Sequence, residues 1–196
     1  MDRNPASIPS ERMKALYQHF SNKWGEPEHL IWFDPALADS GAALEKIHIG
    51  VWPADDECDV NTFITFGMSE KEMSSGERTE VQFAVRGHLT DKEIHQGAKF
   101  LANISEYPFS NNLSLDWWHR LKDAGRVPFF NGCTKILFRP PFSESQCKDA
   151  EWKGDIIKFL FLVPLTETEN EALSNGGPDS YHDYMHENDF DLLGHK

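Results

Sequence analysis

His182 and His186 stand four residues apart, with Asp183 and Glu187 beside them. On a helix, residues at this spacing share a face, so two imidazoles can converge on one metal ion while the carboxylates offer oxygen ligands. The interval reads Asp183-Tyr184-Met185, and it lacks the glutamate that serves as general base in the HExxH pattern. A solvated acidic helix is the better reading, with a metal-dependent hydrolase on His182 and His186 as the alternative; no metal or other cofactor is expected. Ser69 follows Gly67-Met68, but Lys71 stands where a GxSxG elbow needs its second glycine, and Glu72 stands where an SxxK pair needs its lysine. Cys133, beside Gly132, has no histidine partner evident from spacing and reads as a buried apolar cysteine. No catalytic residue is assigned, and the chain is expected not to be an enzyme. Asp116, Trp117, Trp118, His119 and Arg120 form the one dense cluster of aromatic and polar tips, of the kind enriched at interaction hot spots. They are the candidate partner-binding residues. Two adjacent indoles cannot point the same way, so one is expected buried and the other partly exposed.

The rest of the composition narrows the function classes. The chain has 196 residues, enough for one domain that buries about 70% of its unfolded surface. With 32 acidic against 19 basic side chains the net charge is −13, which opposes nucleic acid and anionic bilayers and favours a cationic partner. The start, Met1-Asp2-Arg3-Asn4-Pro5, has no apolar signal core, and the apolar run Phe159 to Val163 is too short to cross a bilayer. A cytoplasmic protein is expected. Cys58, Cys133 and Cys147 are odd in number and lack CxxC spacing, so three free thiols are expected.

The elements that must hold these residues are legible from periodicity. Met13, Leu16, Tyr17, Phe20 and Trp24 recur at helical spacing between Pro9-Ser10 and Gly25, the pattern of a capped amphipathic helix. Ile47, Ile49 and Val51, then Phe63 and Thr65, then Val81, Phe83 and Val85 alternate as consecutive antiparallel strands. Thr90-Asp91-Lys92-Glu93 is a capping box opening a second helix on Ile94, Ala98, Leu101 and Ile104, expected to end near Tyr107-Pro108. Thr134 to Phe138 reads as a strand stopped by Pro140-Pro141. Ile156 to Val163 is apolar at nearly every residue, as in a central strand covered on both faces, so helices must sit on the sheet. A second capping box, Thr166-Glu167-Thr168-Glu169, starts a last helix with Asn175-Gly176-Gly177 as its stop. The glycine of Phe66-Gly67-Met68 suits a strand that turns sharply, and Ser69 can hydrogen-bond that turn. Gly67, Met68 and Ser69 are therefore a structural motif.

Three blocks resemble the Suppressor of fused family. Trp52-Pro53 with Thr62 to Ser69 is similar to the family's strand ending in Thr or Ser, a variable residue, Gly, Met or Leu, and Ser. Arg78 to Val85, with Phe100-Leu101-Ala102 through Tyr107-Pro108-Phe109, is similar to its next strand and the helix that follows. Ile157 to Glu169 is similar to its late core strand and the helix start after it. The resemblance is clearest over residues 45–177. It implies a mixed α/β (α+β) fold in which a central mixed, largely antiparallel sheet is flanked by helices, as one domain over 1–196. It also implies a non-enzymatic protein-binding module of the bacterial type, acting as an immunity or regulatory protein in a polymorphic toxin system. The partner would be another protein or peptide, for example a basic toxin domain; a general adaptor domain is a further alternative. A partner's peptide added to a strand edge would supply the affinity. The two-domain clamp understood for the animal protein is not expected here, because the chain offers no second domain for it.

Overall fold

The computed structural model describes residues 8–33, 44–141, 147–188 and 191–194. Helix α1 (Glu11–Trp24) begins where the Ser10 side chain accepts the Met13 N–H, and it ends at Gly25, whose φ of 81° suits glycine. Four strands follow, β1 (His29–Phe33), β2 (Ile47–Trp52), β3 (Val60–Phe66) and β4 (Arg78–Arg86), each antiparallel to the next. Helix α2 (Asp91–Ser110) opens with the expected capping box on Thr90 and Glu93. It passes through Pro108 to Ser110 instead of ending at Tyr107; a proline in a last turn costs only one N–H bond, and its ring is buried against neighbours. Strands β5 (Arg120–Leu121), β6 (Lys135–Arg139), β7 (Asp149–Trp152) and β8 (Asp155–Leu165) lead to α3 (Glu167–Glu187), which starts on the Thr166–Glu169 capping box.

The eight strands make one mixed sheet in the order β1-β2-β3-β4-β8-β6-β5, with β7 also on β8. Only the β4–β8 pair is parallel among the described residues, and it brings together strands far apart in sequence. Because side chains alternate across a strand, β8 presents Phe159, Phe161, Val163 and Leu165 to one face and Leu160 and Leu162 to the other. The first face is covered by α1, through Met13, Leu16 and Phe20, and by α3, through Leu173 and Tyr181. The opposite face is covered by α2, where Ile94, Ala98, Leu101 and Ile104 pack on Ile47, Ile49, Val51 and Phe83. Phe20 is 0% exposed, so truncating it to alanine would cost about 3–5 kcal/mol.

Two expectations need correction. Asn175-Gly176-Gly177 does not end α3 outright. Gly177 takes φ 69° and ψ −158°, breaking the helix, and Pro178 immediately starts a second helical stretch that carries His182 and His186. Nor is β8 covered at every position: Ile156 is 68% exposed, because it points away from the α1 face on which Ile157 is buried and lies at the β7 end of the strand.

Candidate binding surface

The Gly67-Met68-Ser69 turn is held by a residue on the neighbouring strand. Glu80 of β4 is fully buried, and its Oε1 accepts the N–H of Gly67 at 2.9 Å, the N–H of Ser69 at 3.0 Å and the Ser69 hydroxyl at 2.7 Å. Its Oε2 accepts the Thr65 hydroxyl at 2.6 Å and the Met68 N–H at 3.3 Å. Burial raises this carboxyl to about 6, against the pull of the Thr65 and Ser69 hydroxyls and the Gly67 and Ser69 N–H groups. From the outside, the Ser69 carbonyl accepts Arg12 at 2.6 Å and Arg78 at 2.8 Å. Gly67 has φ 129°, and a Cβ there would sit 2.8 Å from the Lys46 carbonyl oxygen. Ser69 is 0% exposed, so its hydroxyl serves the turn and is not presented as a nucleophile.

The Asp116–Arg120 segment divides between the surface and α3. Trp118 has φ 69° and donates its N–H to the Phe138 carbonyl at 2.6 Å. Its ring lies under the Arg139 guanidinium, 5.6 Å from the centroid, and 5.5 Å from the His182 ring. Arg120 reaches to α3, donating to the Ser174 hydroxyl at 2.6 Å and the Asn170 side-chain oxygen at 3.1 Å. His119 is half-buried, and burial lowers its pKa against the pull of Asp116. Asp116 and Trp117 remain at the surface, where Lys158 donates to Asp116 at 2.7 Å and stands 5.3 Å over the Trp117 ring. Burial opposes ionisation of Asp116, but the Lys158 and Trp117 hydrogen bonds hold it below the usual carboxylate range. Neither indole is fully buried: Trp117 is 37% exposed and Trp118 is half-buried.

His182 packs on Trp118, and no group of three or more His, Cys, Asp or Glu side chains able to hold a metal occurs among the described residues. No helix among the described residues is long and apolar enough to cross a membrane.

What the sequence reading did not find is the sheet edge. β1 pairs only with β2 among the described residues. Ile31 and Phe33 pack toward α2, while Leu30 and Trp32, 46% and 47% exposed, stand on the α1 face. Beside them a groove of about 400 Å³ runs between α1 and the sheet, lined by Met13, Tyr17, Leu30, His48 and Phe66 among others. His48 is buried, its Nε2 has no hydrogen-bond partner among the described residues, and burial and then Lys46 lower its pKa. An open strand edge flanked by apolar side chains and a groove is the geometry that accepts an extended peptide. A second missed cluster lies at the far end of α1, where His19 Nε2 is 3.1 Å and Lys23 Nζ 3.4 Å from the Cys147 sulfur. All three cysteines are free thiols, as expected.

With the fold and edge in view, comparison with known proteins is informative. No curated protein matches the chain. Among solved structures, a chain of the Sufu–Fu complex is 16% identical with a TM-score of 0.65, covering 96% of this chain and 90% of that one. Drosophila Suppressor of Fused is 15% identical with a TM-score of 0.66, over 99% of this chain but 52% of that one, so this chain spans about half of the fly protein. A SUFU homolog from Neisseria gonorrhoeae is 14% identical with a TM-score of 0.68, over 93% of each chain. At such identities the structures speak to the fold alone. The family model described as Suppressor of fused protein, however, matches residues 41–193, most of the sequence and all three blocks that carry the resemblance: the chain belongs to the Suppressor of fused family.

Proposed function

We propose that this chain is a non-enzymatic protein-binding module that acts by stoichiometric capture, as an immunity or regulatory protein neutralising a toxin or regulator in the cytoplasm of a bacterium. The observation that carries the reading is the β1 edge, paired only with β2 among the described residues and carrying exposed Leu30 and Trp32, together with the likeness to a chain of the Sufu–Fu complex. An extended segment of the partner adds to β1, main-chain hydrogen bonds supply affinity, and the groove beside Leu30 takes one apolar side chain. The net charge of −13 favours a basic partner such as a toxin domain. Trp117, held beside Asp116 and Lys158, is a second contact at the surface.

The test is affinity capture with the tagged chain, in which the products of adjacent open reading frames are examined first and then co-expressed. Suppression of a neighbour's toxicity by the wild type, and loss of suppression in Leu30→Glu and Trp32→Glu, supports the reading. Suppression that survives both substitutions refutes the β1 mode, and turnover of any substrate by the pure chain refutes stoichiometric capture.

A further inference from the structure

Cys147 lies just before β7, 7% exposed, in the cluster formed by Met13, Phe20 and Phe159. Two side chains one helical turn apart on α1 converge on its sulfur: His19 Nε2 at 3.1 Å and Lys23 Nζ at 3.4 Å. Both are exposed, so the groups touching the thiol sit at the protein surface and can swing away from it. The imidazole is oriented by Phe159, with ring centroids 6.3 Å apart, and by the edge of Phe20 at 5.4 Å. The other two cysteines differ: Cys58 is exposed, and Cys133 is 1% exposed within the opposite core.

We propose that Cys147 is a modifiable nucleophilic thiol, with His19 as its proton acceptor and Lys23 as the cation beside the sulfur, and that its substrates are small disulfides. Burial, then Lys23, lowers the pKa of His19, so the ring is uncharged at neutral pH and able to take a proton. The exchange needs no other reactant. His19 accepts the thiol proton, and the Cys147 sulfur attacks one sulfur of the disulfide. The new S–S bond forms as the old one breaks, and the departing thiolate takes the proton back from His19. The adduct then occupies the seam between α1 and the sheet. That loosens the helix whose Arg12 braces the Gly67–Ser69 turn.

The experiment follows each cysteine by peptide mass spectrometry as the whole chain reacts with 5,5′-dithiobis(2-nitrobenzoate) and, separately, with glutathione disulfide at pH 7. Cys147 is expected to react about 10-fold faster than exposed Cys58, and His19→Gln or His19→Phe to slow Cys147 about 10-fold without changing Cys58. Lys23→Gln gives a smaller loss, and circular dichroism of each variant separates slow reaction from unfolding. The proposal is overturned if Cys147 reacts no faster than Cys58, if its rate is unchanged in both His19 variants, or if it reacts only as fast as the protein unfolds in urea.

Discussion

Replacing Glu80 with alanine tests whether the Gly67–Ser69 turn is held from within the sheet. At pH 7.5 the carboxyl lies above its raised value of about 6 and is ionised. The substitution orphans the N–H groups of Gly67, Met68 and Ser69; the Thr65 and Ser69 hydroxyls can rotate. Each orphaned buried donor costs about 1–3 kcal/mol, or about 3–9 kcal/mol for three. Against this, removing the buried charge returns about 2 kcal/mol, since the carboxyl is raised from 4.5 to about 6 at 1.36 kcal/mol per unit. The net expectation is a loss of about 4 kcal/mol, read as a lower urea midpoint with an unchanged slope, or a melting temperature lower by roughly 8–16 °C. Glu80→Gln keeps one acceptor and also removes the charge, so the about 1–3 kcal/mol for the Met68 N–H left facing an amide is offset and stability should stay within about 1 kcal/mol of wild type. A loss below about 1 kcal/mol for Glu80→Ala would refute the reasoning, because the turn would then hold itself.

Three further outcomes follow from the same geometry. A carboxyl with a raised folded pKa contributes stability that is fully present below about pH 4.5 and is lost as pH rises through about 6; urea titrations should show this component, about 2 kcal/mol, in wild type and not in Glu80→Gln. Gly67→Ala combines φ 129° with a 2.8 Å approach to the Lys46 carbonyl, so it should lose about 1–3 kcal/mol in thermal unfolding. Trp32→Glu, at a position 47% exposed, should leave unfolding free energy within about 1 kcal/mol of wild type while weakening partner binding at least about 10-fold by titration calorimetry.

Local physics explains what was legible in the sequence. The two Thr-x-x-Glu boxes and the Met13-to-Trp24 stripe are complete within a few residues, so α1, α2 and the start of α3 could be read directly. The alternation in β2, β3 and β4 marked the antiparallel run in the same way. β1 was missed because Leu30 and Trp32 are apolar on its exposed side, which erases the polar alternation that betrays a half-buried strand. β5 has two residues and β7 reads Asp-Ala-Glu-Trp, so neither carries a pattern. The partners that define the special sites are remote in sequence. Glu80 looks like any strand carboxylate until β3 and β4 pair, and Cys147 meets His19 across 128 positions. The indole pair was found by type, but its division between the surface and α3 depends on the positive φ of Trp118, which no neighbouring residue announces.

The most direct test of the central claim is a calorimetric titration of the purified chain with the protein that it captures from its host, run in parallel with Leu30→Glu. The account predicts one saturating site per chain, no product formed over time, and affinity reduced at least about 10-fold by the substitution. Wild type and Leu30→Glu binding alike would contradict capture at the β1 edge, and catalytic conversion of the partner would contradict a binding module altogether.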